Sequence, residues 1–389
     1  MLIGNLPRLA TALHVALCSA TLVANLAWGR GSQTPVTGKA RKVGPYWAIE
    51  IQVDHGKTGW FMISTGLKVS VVTPSLFDHK DLTFDKERHD LSAGSIEWRR
   101  VNVSVENLGG MEQSDHISGC LALDVLSKIA LAIDKITGDY VLYPGGKVPN
   151  DKLREWFRVA SDSEIQGIPL EQSATSFFGI KAKLGKESAF FWINSGSDDA
   201  YLESHLASRV PSAVALYTQN DDGSSLEERI TPLKPLSGLP EWLVFDSWLP
   251  ERAGKPLPEA WLSFSCFPGD RILVDYPGGS VKFPRSSEDD LIATTIRNLI
   301  WVHVKVHGQE LTVGDLGENP ASDWLRANKC EGAKIVSISG VAAADFIDAL
   351  RHPERGVEPL GLILAKSSKT IVLKIMTAAG EVTLNINRS

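Results

Sequence analysis

Apolar and polar positions trade places along most of this chain, and the spacing of the trade predicts strands. From Tyr46 to Val53 the alternation has a period of two, the pattern of a half-buried strand. Asp54-His55-Gly56-Lys57 supplies turn chemistry, and Trp60 to Ile63 reads as the returning strand. Ser70 to Val72 and Glu97 to Val105 are further strands, with Pro74-Ser75-Leu76-Phe77 a short helical turn. Ser118 to Leu126 then leads into Ile129 to Asp134, and Thr137-Gly138-Asp139 turns the chain into Tyr140 to Tyr143. Pro144-Gly145-Gly146 closes this unit, and a connector follows in which Asn150 is placed to cap a helix over Asp151 to Ala160.

The same order returns. Phe177 to Leu184 is a strand, Gly185-Lys186 a turn, and Ala189 to Ile193 the strand coming back. Tyr201 to Leu206 stands where the helical turn stood. Trp261 to Phe267 leads into Arg271 to Asp275, and Pro277-Gly278-Gly279 turns into Ser280 to Phe283. Correspondences in one unbroken order are an internal repeat. At its centre a buried strand runs twice into a tight turn: Ser64-Thr65-Gly66, and 130 residues later Asn194-Ser195-Gly196. After the polar break Pro284 to Asp290 the pattern changes. Strands are expected at Trp301 to Val306, Glu310 to Val313, Lys334 to Ile338, Thr370 to Ile375 and Val382 to Ile386, with helices at Pro320 to Leu325 and Ala344 to Arg351.

Composition narrows the function classes. A chain of 389 residues with 43% hydrophobic and 22% charged positions is expected to be globular with more than one domain. A net charge of −6 leaves no basic footprint for nucleic acid. Arg8 precedes an apolar run from Leu9 to Ala27, with small residues at Ala27 and Gly29. That predicts a secretory signal cut after Gly29; the run is also long enough to stay as an anchor beside a membrane. The expected location is therefore secreted or periplasmic, or anchored by an uncleaved segment. Cys120, Cys266 and Cys330 follow no metal-ligand spacing and read as small buried hydrophobes. No Cys-x-x-Cys or Gly-x-Ser-x-Gly occurs, and the His-x-x-x-His spacing of His303 and His307 falls on and just past an expected strand rather than on a helix, so neither a metal site, nor a cofactor, nor a serine nucleophile is expected.

The repeated strand-and-turn, with Gly119 to Leu126 and Ile133-Asp134 in the first unit and Val274-Asp275 in the second, resembles two retropepsin-like aspartic protease domains in tandem, a pepsin-type pair of lobes. The resemblance implies a mainly β protein of two acid-protease β-barrel lobes around a cleft. It also implies that Thr65 and Ser195 exchange hydroxyl-to-backbone bonds between lobes, that Gly66 and Gly196 permit the turns, and that Asp134 and Asp275 are structural. The family carries Asp where this chain has Ser64 and Asn194. Two such carboxylates share one proton, one acting as base on water while the other donates to the carbonyl oxygen. A serine hydroxyl and an amide do neither, so no catalytic residue is expected at the degenerate dyad positions. Asp54, Asp198 and Asp199 are the candidates for displaced carboxylates and fit that role poorly.

Gly317 to Ala321, Glu331 to Val341 and the strands after Ala344 resemble a bacterial-type PDZ domain, an α+β unit. Such domains bind an extended peptide along a strand edge and hold its terminal carboxylate in a glycine-rich loop. The corresponding place here contains Leu299, Ile300, Trp301 and Val302, without glycine. The expected domains are a signal at 1–29, a linker at 30–43, lobe 1 at 44–146, a connector at 147–167, lobe 2 at 168–285 and the PDZ-like domain at 295–389. The expected function is an inactive protease relative binding peptides or extended protein segments in the cleft or on the PDZ edge. The alternatives are a residual aspartic endopeptidase using displaced carboxylates and a purely structural envelope protein.

Overall fold

The computed structural model describes residues 34–44, 46–77, 86–108, 112, 115–173, 176–184, 187–195, 200–202, 214–219, 225–232, 242–248, 260–315, 320–352 and 370–387. The expected signal, Gly196, Asp198 and Asp199 lie outside these residues. The fold is mainly β, with helices at the joints and in the C-terminal unit.

Lobe 1 runs β1 (Val36–Lys39), β2 (Arg41–Val43), β3 (Tyr46–Val53), β4 (Lys57–Ile63), β5 (Val71–Val72), β6 (Lys86–Ala93), β7 (Ile96–Val105), β8 (Ile117–Leu121), the short helix α1 (Leu123–Leu126), β9 (Ile129–Asp134) and β10 (Asp139–Pro144). Helix α2 (Asn150–Phe157) leads to lobe 2. That lobe is β11 (Ile165–Pro169), β12 (Glu171–Gln172), β13 (Phe178–Leu184), β14 (Glu187–Asn194), β15 (Ala200–Leu202), β16 (Val214–Gln219), β17 (Ser225–Pro232), β18 (Trp242–Trp248), β19 (Ala260–Ser263), β20 (Arg271–Asp275) and β21 (Ser280–Pro284). Helix α3 (Glu288–Ile300) opens the C-terminal unit. β22 (Val304–His307), β23 (Glu310–Val313), α4 (Pro320–Ala327), β24 (Lys334–Ile338), β25 (Val341–Ala342), α5 (Ala343–Arg351), β26 (Thr370–Thr377) and β27 (Gly380–Asn387) follow.

Each lobe wraps its own sheet, in the orders β2-β3-β4-β8-β5-β7-β6 and β12-β13-β14-β19-β15-β18-β17-β16. A third sheet joins them, β1-β10-β9-β20-β21-β11. It is symmetric in the repeat: β9 and β20 pair antiparallel at its centre, Ile272 opposite Ile133. Every residue of β9 is buried. Ile129, Leu131 and Ile133 enter the large core shared by both lobes, whereas Ala130 and Ala132 face Leu153 and Phe157 of α2. Small alanines on that face let the helix approach the sheet.

The structure corrects four of these local readings. The stretch expected as linker forms β1 and β2, because β1 pairs with β10 at the outer edge of the joining sheet and β2 pairs with β3. The connector likewise contains β11, paired with β21. Helix α2 has Asn150 as its first residue rather than its cap, and stops at Phe157 because Arg158 turns left-handed at φ 55°. Tyr201 and Leu202 belong to strand β15, not to a helical turn.

Candidate functional site

The two repeated turns meet at the junction of the lobes. β4 pairs in parallel with β8, Ile63 beside Leu121, and β14 pairs in parallel with β19, Ile193 beside Leu262. Each inner strand therefore delivers its turn to the same central place. Ser64 N donates to Leu121 O at 2.9 Å.

Thr65 and Ser195 lock that place reciprocally. Thr65 N donates to Ser195 Oγ at 3.1 Å, and Ser195 N donates to Thr65 Oγ1 at 2.9 Å. Thr65 Oγ1 donates to Ile193 O at 2.5 Å, and Ser195 Oγ donates to Ile63 O at 2.7 Å. Both hydroxyls are buried and accept one main-chain N–H while donating to one carbonyl, so two polar turns cross an apolar core without orphaned groups. Tyr276, also buried, belongs to this core, edge-on to Phe178, and burial pushes its phenol above the ordinary range.

Ser64 is 7% exposed, and the Asn194 amide lies over Gly66 from the opposite lobe. A Cβ built on Gly66 would sit 3.5 Å from Asn194 Oδ1, an ordinary contact, and Gly66 has no left-handed φ. The turn that Gly66 is expected to permit also admits a side chain at that position. Beside this turn the packing requires glycine at Gly119, where a Cβ would fall 2.3 Å from Val71 O and 2.4 Å from the Phe61 ring.

The loop after Ser64 is pinned to α1. Leu123 N donates to Leu67 O and Asp124 N to Lys68 O. Asp124 accepts Ser70 Oγ at 2.7 Å and Ser70 N at 3.0 Å. Lys68 then reaches across to lobe 2, its ammonium 5.0 Å from the centre of the Phe177 ring, which itself stacks on Trp192 at 3.8 Å. In lobe 2 the segment matching α1 is a single 3-10 turn, Phe264–Cys266.

The carboxylates near the turns have other work. Asp134 accepts from Ile136 N and Thr137 N, both at 3.0 Å, and from Arg271 Nε at 2.9 Å. Asp275 accepts Gly278 N at 2.8 Å and is packed against Gly146 and Gly278. Asp54 sits at the other end of the β3–β4 hairpin, bound to His89 Nδ1 at 2.6 Å and Asp90 N at 2.9 Å. The seven-residue β4 separates it from Ser64 by roughly 20 Å. Close by, His55, Asp90 and Glu97 bring three ligand-type atoms within 4.8 Å of one another on the exposed hairpin end. His55 Nε2 there stands 3.3 Å from Glu97 Oε1.

Among the described residues, Cys120, Cys266 and Cys330 are buried and form no disulfide. Burial first, then Glu106, pushes the Cys120 thiol up to about 12, so it stays an unreactive thiol. Cys120 lies on β8 and Cys266 in the 3-10 turn after β19, so the two occupy different places in the repeat.

In the C-terminal unit, Leu299 and Ile300 end helix α3 and Trp301 is its left-handed cap. Leu299, Ile300 and Val302 are 1%, 0% and 2% exposed, all within the domain core; Trp301 is exposed. These residues therefore do not line an open groove. A helix C-terminus also presents carbonyls and the negative end of its dipole, the wrong sign for holding a carboxylate. Their exclusion was readable: Ser287-Glu288-Asp289-Asp290 is a capping sequence, and Ile292, Ile296, Leu299 and Ile300 follow at helical spacing. Among the described residues no helix is long and apolar enough to cross a membrane.

No family model matches this chain, and no curated protein matches it. Among solved structures, the crystal structure of basic 7S globulin from soybean overlaps it with a TM-score of 0.39 at 9% identity, covering 66% of this chain and 96% of the globulin chain. A likeness this slight carries no argument about what the chain does.

Proposed function

We propose that this chain is an aspartic-protease relative without catalysis, whose inter-lobe cleft binds extended peptide or protein segments. One observation carries the reading. The reciprocal Thr65–Ser195 lock that builds such a cleft is complete, while the two positions that would carry its acid and base are Ser64 and Asn194. Neither group takes a proton from water near neutrality. The lock preserves the shape, and the chemistry is gone. Aromatic and cationic groups meet across the lobes at Lys68, Phe177 and Trp192, the composition of a surface that holds extended chain.

The test incubates the full chain with reduced, unfolded casein from pH 3 to pH 7, and measures both cleavage and retention of casein peptides. Retention without pepstatin-sensitive cleavage is expected. Pepstatin-sensitive cleavage sinks the reading in favour of displaced carboxylates; neither retention nor cleavage sinks it in favour of a structural role.

A further inference from the structure

Lobe 1 ends, away from the paired turns, in two hairpin ends set side by side. β3 turns into β4 through Asp54 and His55, both left-handed at φ 49° and 55°. β3 also pairs with β6, Gln52 opposite Ser92 and Val53 opposite Leu91. β6 in turn pairs with β7, Ser92 opposite Glu97. Asp90 of β6 and Glu97 of β7 are thereby brought up to the turn that carries His55. No local spacing announces this meeting, because the three residues come from a turn and two separate strands.

Both carboxylates are anchored through one oxygen and offer the other. Asp90 Oδ1 accepts Arg100 N at 2.6 Å, and Asp90 N donates to Asp54 Oδ1 at 2.9 Å. Glu97 Oε2 accepts Arg99 Nη2 at 2.9 Å. Asp54 Oδ2 is taken by His89 Nδ1 at 2.6 Å, which keeps Asp54 in a supporting place. The remaining oxygens, Asp90 Oδ2 and Glu97 Oε1, stand 4.0 and 3.3 Å from His55 Nε2. All three atoms lie within 4.8 Å of one another. Atoms so spaced share a point within about 2.4 Å of each, a few tenths of an ångström from the bonds zinc makes to imidazole nitrogen and carboxylate oxygen. The His55 side chain is 64% exposed, against 33% for Asp90 and 24% for Glu97, so the imidazole has room to close that gap while the carboxylates stay placed.

We propose that His55 Nε2, Asp90 Oδ2 and Glu97 Oε1 form a zinc site with a fourth position open to water. The donor set selects the ion. Two carboxylates balance a divalent charge, and an imidazole favours zinc over calcium or magnesium, which take oxygen ligands. Arg99 sits on the far oxygen of Glu97 and steadies it without entering the site. Bound there, the ion clips the β3–β4 turn to β6 and β7. It binds the folded chain, where the three ligands meet, and so holds this hairpin end closed in proportion to the free zinc present.

The test titrates zinc chloride into the full, EDTA-treated chain at neutral pH by calorimetry, beside its His55→Ala, Glu97→Gln and His352→Ala variants. His352, 3.6 Å from Asp348 on α5, is the control for an exposed imidazole next to a carboxylate. The parent and His352→Ala should each take up one zinc ion more than His55→Ala. Glu97→Gln should bind that ion at least about tenfold more weakly, since losing a ligand costs no less than losing an outer-shell partner. In hydrogen exchange, zinc should slow residues 53–57 and 90–97 of the parent by about tenfold, with β26 and β27 unchanged, and should leave His55→Ala as it was. The proposal is overturned if the parent binds no more zinc than His55→Ala, if Glu97→Gln binds as the parent does, or if bound zinc leaves the two hairpin ends exchanging as before. Should either variant lose protection in β9, exchange of the parent with and without zinc decides alone.

Discussion

Thr65 and Ser195 show how much two hydroxyls carry when each serves as donor and acceptor at once. Thr65→Val removes the acceptor of Ser195 N and the donor to Ile193 O in a buried place. Each orphaned group costs about 1–3 kcal/mol, so urea unfolding should show a loss of about 2–6 kcal/mol, while Ser64→Ala, which keeps its main-chain bond to Leu121, should lose less than about 1 kcal/mol. Ser64→Asp with Asn194→Asp would restore two carboxylates to one enclosed place, where they share a proton. If the cleft geometry survives as proposed, that double variant gains pepstatin-sensitive cleavage of casein at acid pH, at least about 10²-fold above the parent. An inert double variant would show that the turns alone do not suffice. His303 gives a pH signature. Burial, then the charges of Arg297 and Lys135, lowers its ring from 6.5 to about 3. The folded value lies below the unfolded one, so the unfolded chain takes up the proton first. Stability from this group is intact above about pH 6.5 and is lost as pH falls toward 3. His303→Gln should flatten the decline of Tm between those values; a curve parallel to the parent would contradict the assignment.

At the scale of elements, the glycines separate into needed and dispensable. Gly119→Ala drives a methyl into Val71 O and the Phe61 ring, and overpacking of this kind should cost about 1–3 kcal/mol by chemical denaturation. Gly66→Ala meets only an ordinary contact and should cost less than about 1 kcal/mol. Sequence reading pointed to Gly66 because it sits in the family's turn; only the packing of β4, β5 and β8 exposes Gly119 as the strict position. Strands with strong alternation, β3 and β7 above all, were legible because a half-buried strand repeats every two residues. Helix α3 was legible in principle too, through its cap and its isoleucines. It was hidden by the polar run 284–290, which reads as a break until Ser287 is seen to accept Asp290 N in a capping box. Ser287→Ala should lower stability by about 1 kcal/mol, and exchange should rise in the first turn of α3 before any strand of the C-terminal sheet.

At the scale of the whole molecule, the joining sheet decides cooperativity. Arg271 of lobe 2 pairs with Asp134 of lobe 1 across β20 and β9, donates to Trp156 O and lies over the Trp156 ring. Arg271→Met leaves a buried carboxylate without its cation, at about 3 kcal/mol, and both lobes should lose stability in one guanidinium transition because β9 and β20 share the sheet. Two separate transitions would contradict that. The sequence by itself determined the duplication, the succession of its clearly alternating strands and the residues at its two turns, Ser64 and Asn194, since each is written in local pattern or in the identity of one residue. Tertiary structure alone decided that the apparent linker is an edge strand and that α3 packs along β22 and against α5. The reason is physical: pattern encodes which face of an element is apolar, but not which distant element covers that face. β1 finds β10, and α3 finds β22 and α5, through pairings that no neighbouring residue announces.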